Sequence, residues 1–382
     1  MLAITDRSDV LPHIVFLITG LGRGGAETQM VRLAIGLKGL GHRVGVISML
    51  SNNEFVDELV DAAIPTVCLG MQRGAWNLKA ITSTVSLLRE WKPDIVVTFL
   101  IHATLLGRLT AGISGVPATV CSIRSEQPGG SFLSMVFRMT NHLDRFITVN
   151  SRAAASTLAS QRIIPGNDRV RVMPNAIEVD DYAAPARFAA ASVRRQLGVE
   201  PDEFLWLAVG RLEEPKDYPN LITAFGRVVS QGLPSKLRIA GRGPLLSGLQ
   251  DLVRSLSLED KVEFLGFRSD VTSLLHAADA LVLSSAWEGM PNAVMEALAA
   301  ALPVVATRVG GVAELVDENS SGLIVPAQDP EALSSAMIAM MNLSQEQRNQ
   351  MGEEGKRHVE ESYGLQKVLG LWSRLFREVD AG

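Results

Sequence analysis

Two glutamates, Glu288 and Glu296, and two cations, Arg211 and Lys216, sit where their types and spacing could do chemistry. Glu288 opens a short turn, Glu288-Gly289-Met290-Pro291-Asn292, between an apolar strand at 280–283 and a helix starting at Pro291 or Asn292. Proline suits a first helical position, where its missing N–H has no intrahelical partner to lose. The open N–H groups and dipole of such a helix start favour a phosphate. Glu296 follows eight residues after Glu288, too far for one acid–base pair on a single helix face. The two acids better bracket a long ligand, one at each end of it. Arg211 directly follows a strand at 204–209, and Lys216 lies five residues on, just before a helix. A planar fork and a mobile point charge can together offset a diphosphate without a metal. Each residue also has a plainer reading: a turn acid, a solvent-facing acid and two solvated cations.

The elements that must position these side chains repeat a strand–helix rhythm. Apolar runs at 13–19, 43–50, 66–69, 95–99, 118–123 and 146–150 read as strands. Helical patterns at 26–40, 77–91, from 103 and around 131–141 lie between them. Strands that are apolar throughout and alternate with helices predict a parallel sheet covered on both faces. An Ala-rich, Pro-interrupted stretch at 180–194 reads as a crossing between domains. The rhythm then restarts with strands at 204–209, 236–240, 262–265, 280–283, 303–306 and 322–325. Helices near 331–341, 344–361 and 365–379 close the chain, the last with Leu369, Trp372, Leu375 and Phe376 on one stripe. The expected fold class is α/β, two doubly wound Rossmann-like domains. The expected divisions are 1–185, 186–362 and a terminal helix 363–382, able to pack on either domain.

Bulk properties narrow the function. A chain of 382 residues accommodates two domains, and a net charge of −5 gives no reason to expect nucleic acid. The two cysteines, Cys68 and Cys121, show no disulfide framework, and the six histidines no His-x-x-x-His pair. No Asp-x-Asp run offers a divalent-cation site. The first residues read as a tail leading into a strand and not as a signal peptide. No apolar stretch reaches the roughly 20 residues of a membrane span. A soluble cytoplasmic protein is expected, with peripheral attachment to a membrane left open. The run 129–145 mixes Phe132, Met135, Phe137 and Met139 with Arg138 and Arg145, so it reads either as an ordinary domain helix or as a membrane-facing one.

The first strand-to-helix turn holds Gly20-x-Gly22-x-x-Gly25, a nominal dinucleotide fingerprint. That fingerprint needs an acid at the end of the second strand for the ribose. Here none occurs before Glu54, which argues against a nicotinamide enzyme. A turn flat enough at Gly24 and Gly25 for a phosphate to approach survives that objection.

Taken together, these motifs resemble the family-4 retaining glycosyltransferases of GT-B fold. The most specific match is the E-x7-E pair, Glu288 to Glu296. Supporting it are Gly24-Gly25-Ala26-Glu27, Pro174-Asn175-Ala176-Ile177, Gly210-Arg211-Leu212 with Lys216, Gly241-x-Gly243-Pro244, and Gly310-Gly311 with Glu314. The resemblance implies that Glu296 binds the ribose of a sugar nucleotide. Arg211 and Lys216 would hold its diphosphate, with Gly24, Gly25 and Gly241 letting backbone come close. Glu288 and the backbone of Gly289, Met290, Pro291 and Asn292 would hold the donor sugar, and main chain at Phe267 and Arg268 would face the base. His102 matches a donor-sugar position, and Arg124 and Glu126 could reach the acceptor. Glu288, His102, Arg211 and Lys216 form the implied catalytic set, with no metal and no cofactor beyond the donor. The implied partners are a nucleotide sugar and a saccharide or lipid-linked acceptor. Two departures stand out: Asp217 and Ala176 occupy positions where the family often has glycine, and a left-handed backbone at Ala176 would be strained. A sugar-nucleotide epimerase on the same architecture, or a sugar-nucleotide-binding protein without turnover, are the rival readings.

Overall fold

The structure is a computed structural model that describes residues 11–51, 54–72, 78–125, 130–183 and 187–380. Its described residues separate into two compact units, one running to Ala176 and resuming at Leu365, the other spanning Ile177–Gly364.

The first unit alternates strands and helices from its start. In order these are β1 (His13–Ile18), α1 (Gly25–Gly39), β2 (Arg43–Leu50), α2 (Val56–Asp61), β3 (Thr66–Met71) and α3 (Leu78–Trp91). Next come β4 (Ile95–Phe99), α4 (Ile101–Ser114), β5 (Ala118–Ile123), α5 (Ser131–Thr140), β6 (Phe146–Val149), α6 (Arg152–Ser160) and β7 (Val170–Val172). The strands form one seven-stranded sheet, β3-β2-β1-β4-β5-β6-β7. Every pairing in it is parallel. All residues of β1, β4 and β6 are buried, as a sheet covered on both faces requires. Strand order reverses between β1 and β4, so the turns after these strands diverge and leave a crevice at their carboxyl ends.

The second unit begins with α7 (Arg187–Gln196), β8 (Phe204–Val209), α8 (Tyr218–Ser230), β9 (Ser235–Ala240), α9 (Leu246–Ser255), β10 (Val262–Gly266) and α10 (Val271–Ala277). It continues through β11 (Ala280–Leu283), α11 (Asn292–Ala299), β12 (Val304–Thr307), α12 (Val312–Leu315), β13 (Gly322–Val325), α13 (Pro330–Asn342) and α14 (Gln345–Tyr363). Its sheet has six strands in the order β10-β9-β8-β11-β12-β13, again parallel throughout. The reversal falls between β8 and β11, paired through Ala280 with Trp206 and Leu281 with Leu207. The turns carrying Arg211, Lys216 and Glu288 therefore leave neighbouring strands at the switch point.

The last helix, α15 (Leu365–Asp380), belongs to the first unit. Leu369, Trp372, Leu375 and Phe376 are at most 1% exposed and join the core beneath α1. The approach is close enough that a β-carbon on Gly36 would lie 2.7 Å from the Leu369 side chain. The divide before Ile177 lies upstream of the expected 185/186. Ile177 donates its N–H to Tyr363 O, and Val179 and Tyr182 are buried in the second unit's core.

Some elements differ from the sequence expectations. The stretch read as a crossing contains α7, whose Arg194 bonds to Ala277 O, Asp279 and Glu203 O. Ala176 is not left-handed, so the strain expected there is absent. Its backbone is instead held by Gln29, which accepts from Ala176 N at 2.6 Å and donates to Ala176 O at 2.9 Å. α11, by contrast, begins at Asn292, one of the two expected starts, with Pro291 as the cap before it at φ −76° and ψ 115°.

Candidate active site

Three turns of the second unit are tied together at the carboxyl ends of β8, β11 and β12. After β8 the chain passes Gly210 and Arg211 into a 3-10 turn, Glu214–Lys216. Asp217 then adopts a left-handed backbone, φ 44°, and its side chain caps the start of α8 by accepting from Asn220 N. Aspartate tolerates this conformation better than most residues, so the departure at this position keeps the turn's shape. Tyr218, buried at the helix start, donates its hydroxyl to Gly210 O at 3.0 Å and closes the turn from below. Burial, helped by the nearby Glu288 charge, raises the Tyr218 phenol well above its ordinary range, so it remains a donor.

The turn after β11 is stitched to this one. Ala286 N donates to Pro215 O at 2.9 Å, and Ser284 Oγ donates to Lys216 O at 2.8 Å. Lys216 Nζ then meets Glu288 Oε1 at 2.5 Å, an oxygen that also accepts from Ser285 Oγ at 2.8 Å. Both partners are mostly buried, with side chains 19% and 14% exposed. The bond to Glu288 uses one of an ammonium's three donors. The turn after β12 supports the other side: Thr307 Oγ1 donates to Ser285 O at 2.7 Å, and Gly311 N to Gly289 O at 2.7 Å. Gly310 has φ +48°, and a β-carbon there would overlap the carbonyl oxygen of Glu288. Only glycine allows that approach.

α11 starts directly beyond Glu288. Its cap residue, Pro291, has no side-chain hydrogen bond to the first turn. A proline cap has no side-chain acceptor to offer the first-turn N–H groups, and a helix start of this kind suits an anion. Gly289, Met290 and Pro291 are buried, whereas Asn292 and Glu296 are half-buried. Arg211 is the most exposed of the implied set, 66% by side chain, and pairs with Glu213 at 3.0 Å.

The turn after β9 closes on the turn after β8. A β-carbon on Gly241 would overlap Gly210 O, and Leu212 N donates to Arg242 O at 2.9 Å. Phe267, 43% exposed, lies under the Arg242 guanidinium at 4.7 Å from its ring centroid. Arg268 is paired with Asp270. Sequence reasoning passed over Ser285, Tyr218 and Arg242. Ser285 bonds to Glu288 three residues on and Tyr218 to Gly210 eight residues back, within turns whose shape no residue pattern announces, and Arg242 acts through a ring after a different strand.

The remaining implied residues lie in the first unit. Gly24 precedes α1 in an extended conformation, and Gly25 is the first residue of that helix. Glu54, too late in sequence for a ribose acid, accepts from Arg23 N at 2.7 Å and braces this same turn. His102 lies half-buried in the first turn of α4, after Leu100 with φ +71°. Arg124 is engaged internally: Nη1 donates to Met173 O and Asn175 Oδ1, and the guanidinium stacks 4.9 Å from the Phe99 centroid. Burial lowers its pKa to about 9, still a cation at neutral pH. Glu126 lies outside the described residues.

The architecture agrees with the comparisons. Two parallel-sheet Rossmann-like units define a GT-B glycosyltransferase fold, and the structure of Anabaena HepE in complex with UDP and glucose superposes with a TM-score of 0.85. That likeness, at 20% identity, covers 96% of this chain and 99% of the other. Sucrose-phosphate synthase from Thermosynechococcus elongatus gives 0.82 at 19% identity, covering 97% of this chain and 99% of that one. The family models "Glycosyltransferase Family 4" and "Glycosyl transferases group 1" match residues 23–181 and 190–358. The chain belongs to glycosyltransferase family 4. An Escherichia coli UDP-Gal:alpha-D-GlcNAc-diphosphoundecaprenol alpha-1,3-galactosyltransferase is 26% identical over 75% of this chain and 76% of its own length. A Streptomyces fradiae 2-deoxystreptamine N-acetyl-D-glucosaminyltransferase is 30% identical, over 69% and 66% respectively. Among the described residues, no helix is long and apolar enough to cross a membrane.

Proposed function

We propose that this chain moves a sugar from a UDP-sugar to a hydroxyl of a saccharide or lipid-linked acceptor, with retention of the anomeric configuration and without a metal. The observation that carries this reading is the Lys216–Glu288 pair beside the start of α11, at the switch point of the second sheet. A cation, a carboxylate and helix N–H groups in one place suit the junction of a sugar and a diphosphate. UDP is favoured as the carrier because the HepE structure is a complex with UDP and the E. coli relative is named for UDP-Gal. A lipid-linked acceptor follows from the diphosphoundecaprenol in that relative's name.

In the reaction, the bond from the anomeric carbon to the β-phosphate oxygen breaks while the acceptor oxygen bonds the same face of that carbon. The acceptor's proton passes to the departing phosphate oxygen. Negative charge grows on the diphosphate as the bond breaks, and Lys216, Arg211 and the α11 N–H groups stabilise it more then than before. Glu288 positions the sugar hydroxyls, and Glu296 the ribose.

Incubating the purified chain with labelled UDP-sugars and saccharide acceptors tests this reading. Transfer, or slow release of free sugar and UDP, supports it. An isomerised UDP-sugar, or binding without turnover, overturns it, as does a product of inverted configuration by NMR. Two further outcomes are expected. Glu296→Ala raises the Kd for UDP by about tenfold or more, the cost of a lost hydrogen bond to a charged group, and an unchanged Kd in calorimetry removes Glu296 from the ribose. Excess chelator leaves the rate within about twofold, because no Lewis acid takes part. A drop of orders of magnitude, restored by added divalent ion, contradicts that.

A further inference from the structure

We propose that the first unit carries a membrane-docking surface, formed by the exposed face of α5 and an arginine-rich cavity at its end, which takes a bilayer containing anionic phospholipid. This surface is independent of how the donor binds in the second unit.

Phe132, Met135, Met139 and Leu143 follow one another at i, i+3, i+7 and i+11, along α5 and the 3-10 turn Asn141–Leu143. They are 70%, 44%, 66% and 51% exposed, whereas Phe137 on the opposite face is 1% exposed. A helix that packs Phe137 and Leu133 on the core while Phe132, Met135 and Met139 stand in water, with Leu143 continuing the stripe just past its end, exceeds the scattered exposure normal for a surface. The helix is also held firmly: Arg108 donates to Phe137 O and Thr140 Oγ1, so the stripe is a fixed feature of the fold.

Charge identifies the occupant. Arg138, His142 and Arg145 lie exposed beside the stripe, and the sole carboxylate from residue 130 to 145, Asp144, is buried and paired with Arg108. The stripe ends at a cavity of about 560 Å³ at the amino ends of β5, β6 and β7, lined by Leu143, Arg145, Arg169 and Arg171. Asp168 also lines it, and Arg171 is shared with Glu378, so the cavity remains cationic in balance. Apolar side chains flanked by cations, with Asp168 the one exposed acid among more numerous arginines at the cavity, fit an interface of acyl chains and phosphate headgroups. A protein partner's apolar patch would satisfy the stripe and leave these cations without counterparts.

Co-sedimentation of the full chain with vesicles tests the proposal. The chain is expected to pellet with phosphatidylcholine vesicles containing phosphatidylglycerol and to remain in solution with phosphatidylcholine alone. Phe132→Ser/Met139→Ser is expected to lower vesicle affinity at least tenfold, and Arg138→Gln/Arg145→Gln by about fivefold per cation. All four side chains are exposed, so an unchanged melting temperature shows that the variants fold. Failure of the wild type to pellet with anionic vesicles overturns the proposal, and so does wild-type affinity in both folded variants. A dimer that Phe132→Ser/Met139→Ser dissolves, with no vesicle binding, assigns the face to a second copy and equally overturns it.

Discussion

Lys216→Ala lowers kcat by about 10²–10³, the loss found when one preorganised donor to a developing negative charge is removed. Two effects of this substitution act in the same direction. The cation nearest the expected leaving group disappears, and Glu288, whose side chain is only 14% exposed, keeps Ser285 as its partner but loses the ammonium. Folding is also affected, since removing one partner of a largely buried ion pair costs up to about 3 kcal/mol, softened here by the Ser285 bond that Glu288 keeps. A denaturation curve measures that loss separately, and kcat is read at a temperature where Lys216→Ala is folded. Lys216→Arg preserves the charge but not the fit, because the Lys216 chain runs 3.1 Å from where a β-carbon on Gly210 would stand. It is expected to fall between wild type and Lys216→Ala. A Lys216→Ala rate within about threefold of wild type, in a folded protein, removes this residue from the reaction.

The largest expected loss of stability lies in the other unit. Arg108→Leu costs about 3–5 kcal/mol, because it leaves a buried carboxylate without its cation. The Arg108 and Asp144 side chains are 2% and 0% exposed, and Arg108 reaches Asp144 Oδ2 through Nε at 2.9 Å and Nη2 at 2.5 Å. Thr119 Oγ1 adds a bond to the other oxygen at 3.1 Å. Burial holds the Asp144 carboxyl above its ordinary range, and the Arg108 charge is the main influence pulling it back. With that charge gone, the folded carboxyl retains its proton to a higher pH than the unfolded one does. The folded chain then binds more protons between those two pKa values, so stability falls as pH rises through them. The deficit of Arg108→Leu is consequently greatest near neutral pH and narrows toward the ordinary carboxylate range. Urea denaturation at several pH values checks both size and sign. A loss below about 1 kcal/mol, or one that widens in acid, contradicts this account of the pair.

The reach of the sequence differs between fold and site. Continuous apolar runs such as His13–Ile18 and Phe204–Val209 are legible because a parallel strand buried on both faces has no polar side to interrupt it. The helix α6, RAAASTLAS, and the three-residue strand β7 are not, since small residues and short length leave no period to read. α7 is hidden for the same reason, its alanines resembling a linker until Arg194 finds Asp279. In the site, residue types and their attachment to strand ends are readable. Their mutual bonds are not. No spacing rule joins Lys216 to Glu288 across 72 positions, or Thr307 to Ser285 across 22. Those bonds depend on β8, β11 and β12 being neighbours in the sheet, which is a property of topology and not of any local motif. Asp217 shows the converse: a departure that looks disruptive in sequence is accommodated by a left-handed backbone and a helix cap.

The central claim is that the second unit grips a sugar diphosphate between Lys216, Glu288 and the start of α11. A crystal soaked with UDP-glucose measures this directly. Diphosphate oxygens are expected within hydrogen-bond distance of Lys216 Nζ and the first N–H groups of α11, the ribose hydroxyls on Glu296, and the glucose hydroxyls beside Glu288. Nucleotide density away from the carboxyl ends of β8 and β11, with Lys216 still bound only to Glu288, would contradict it.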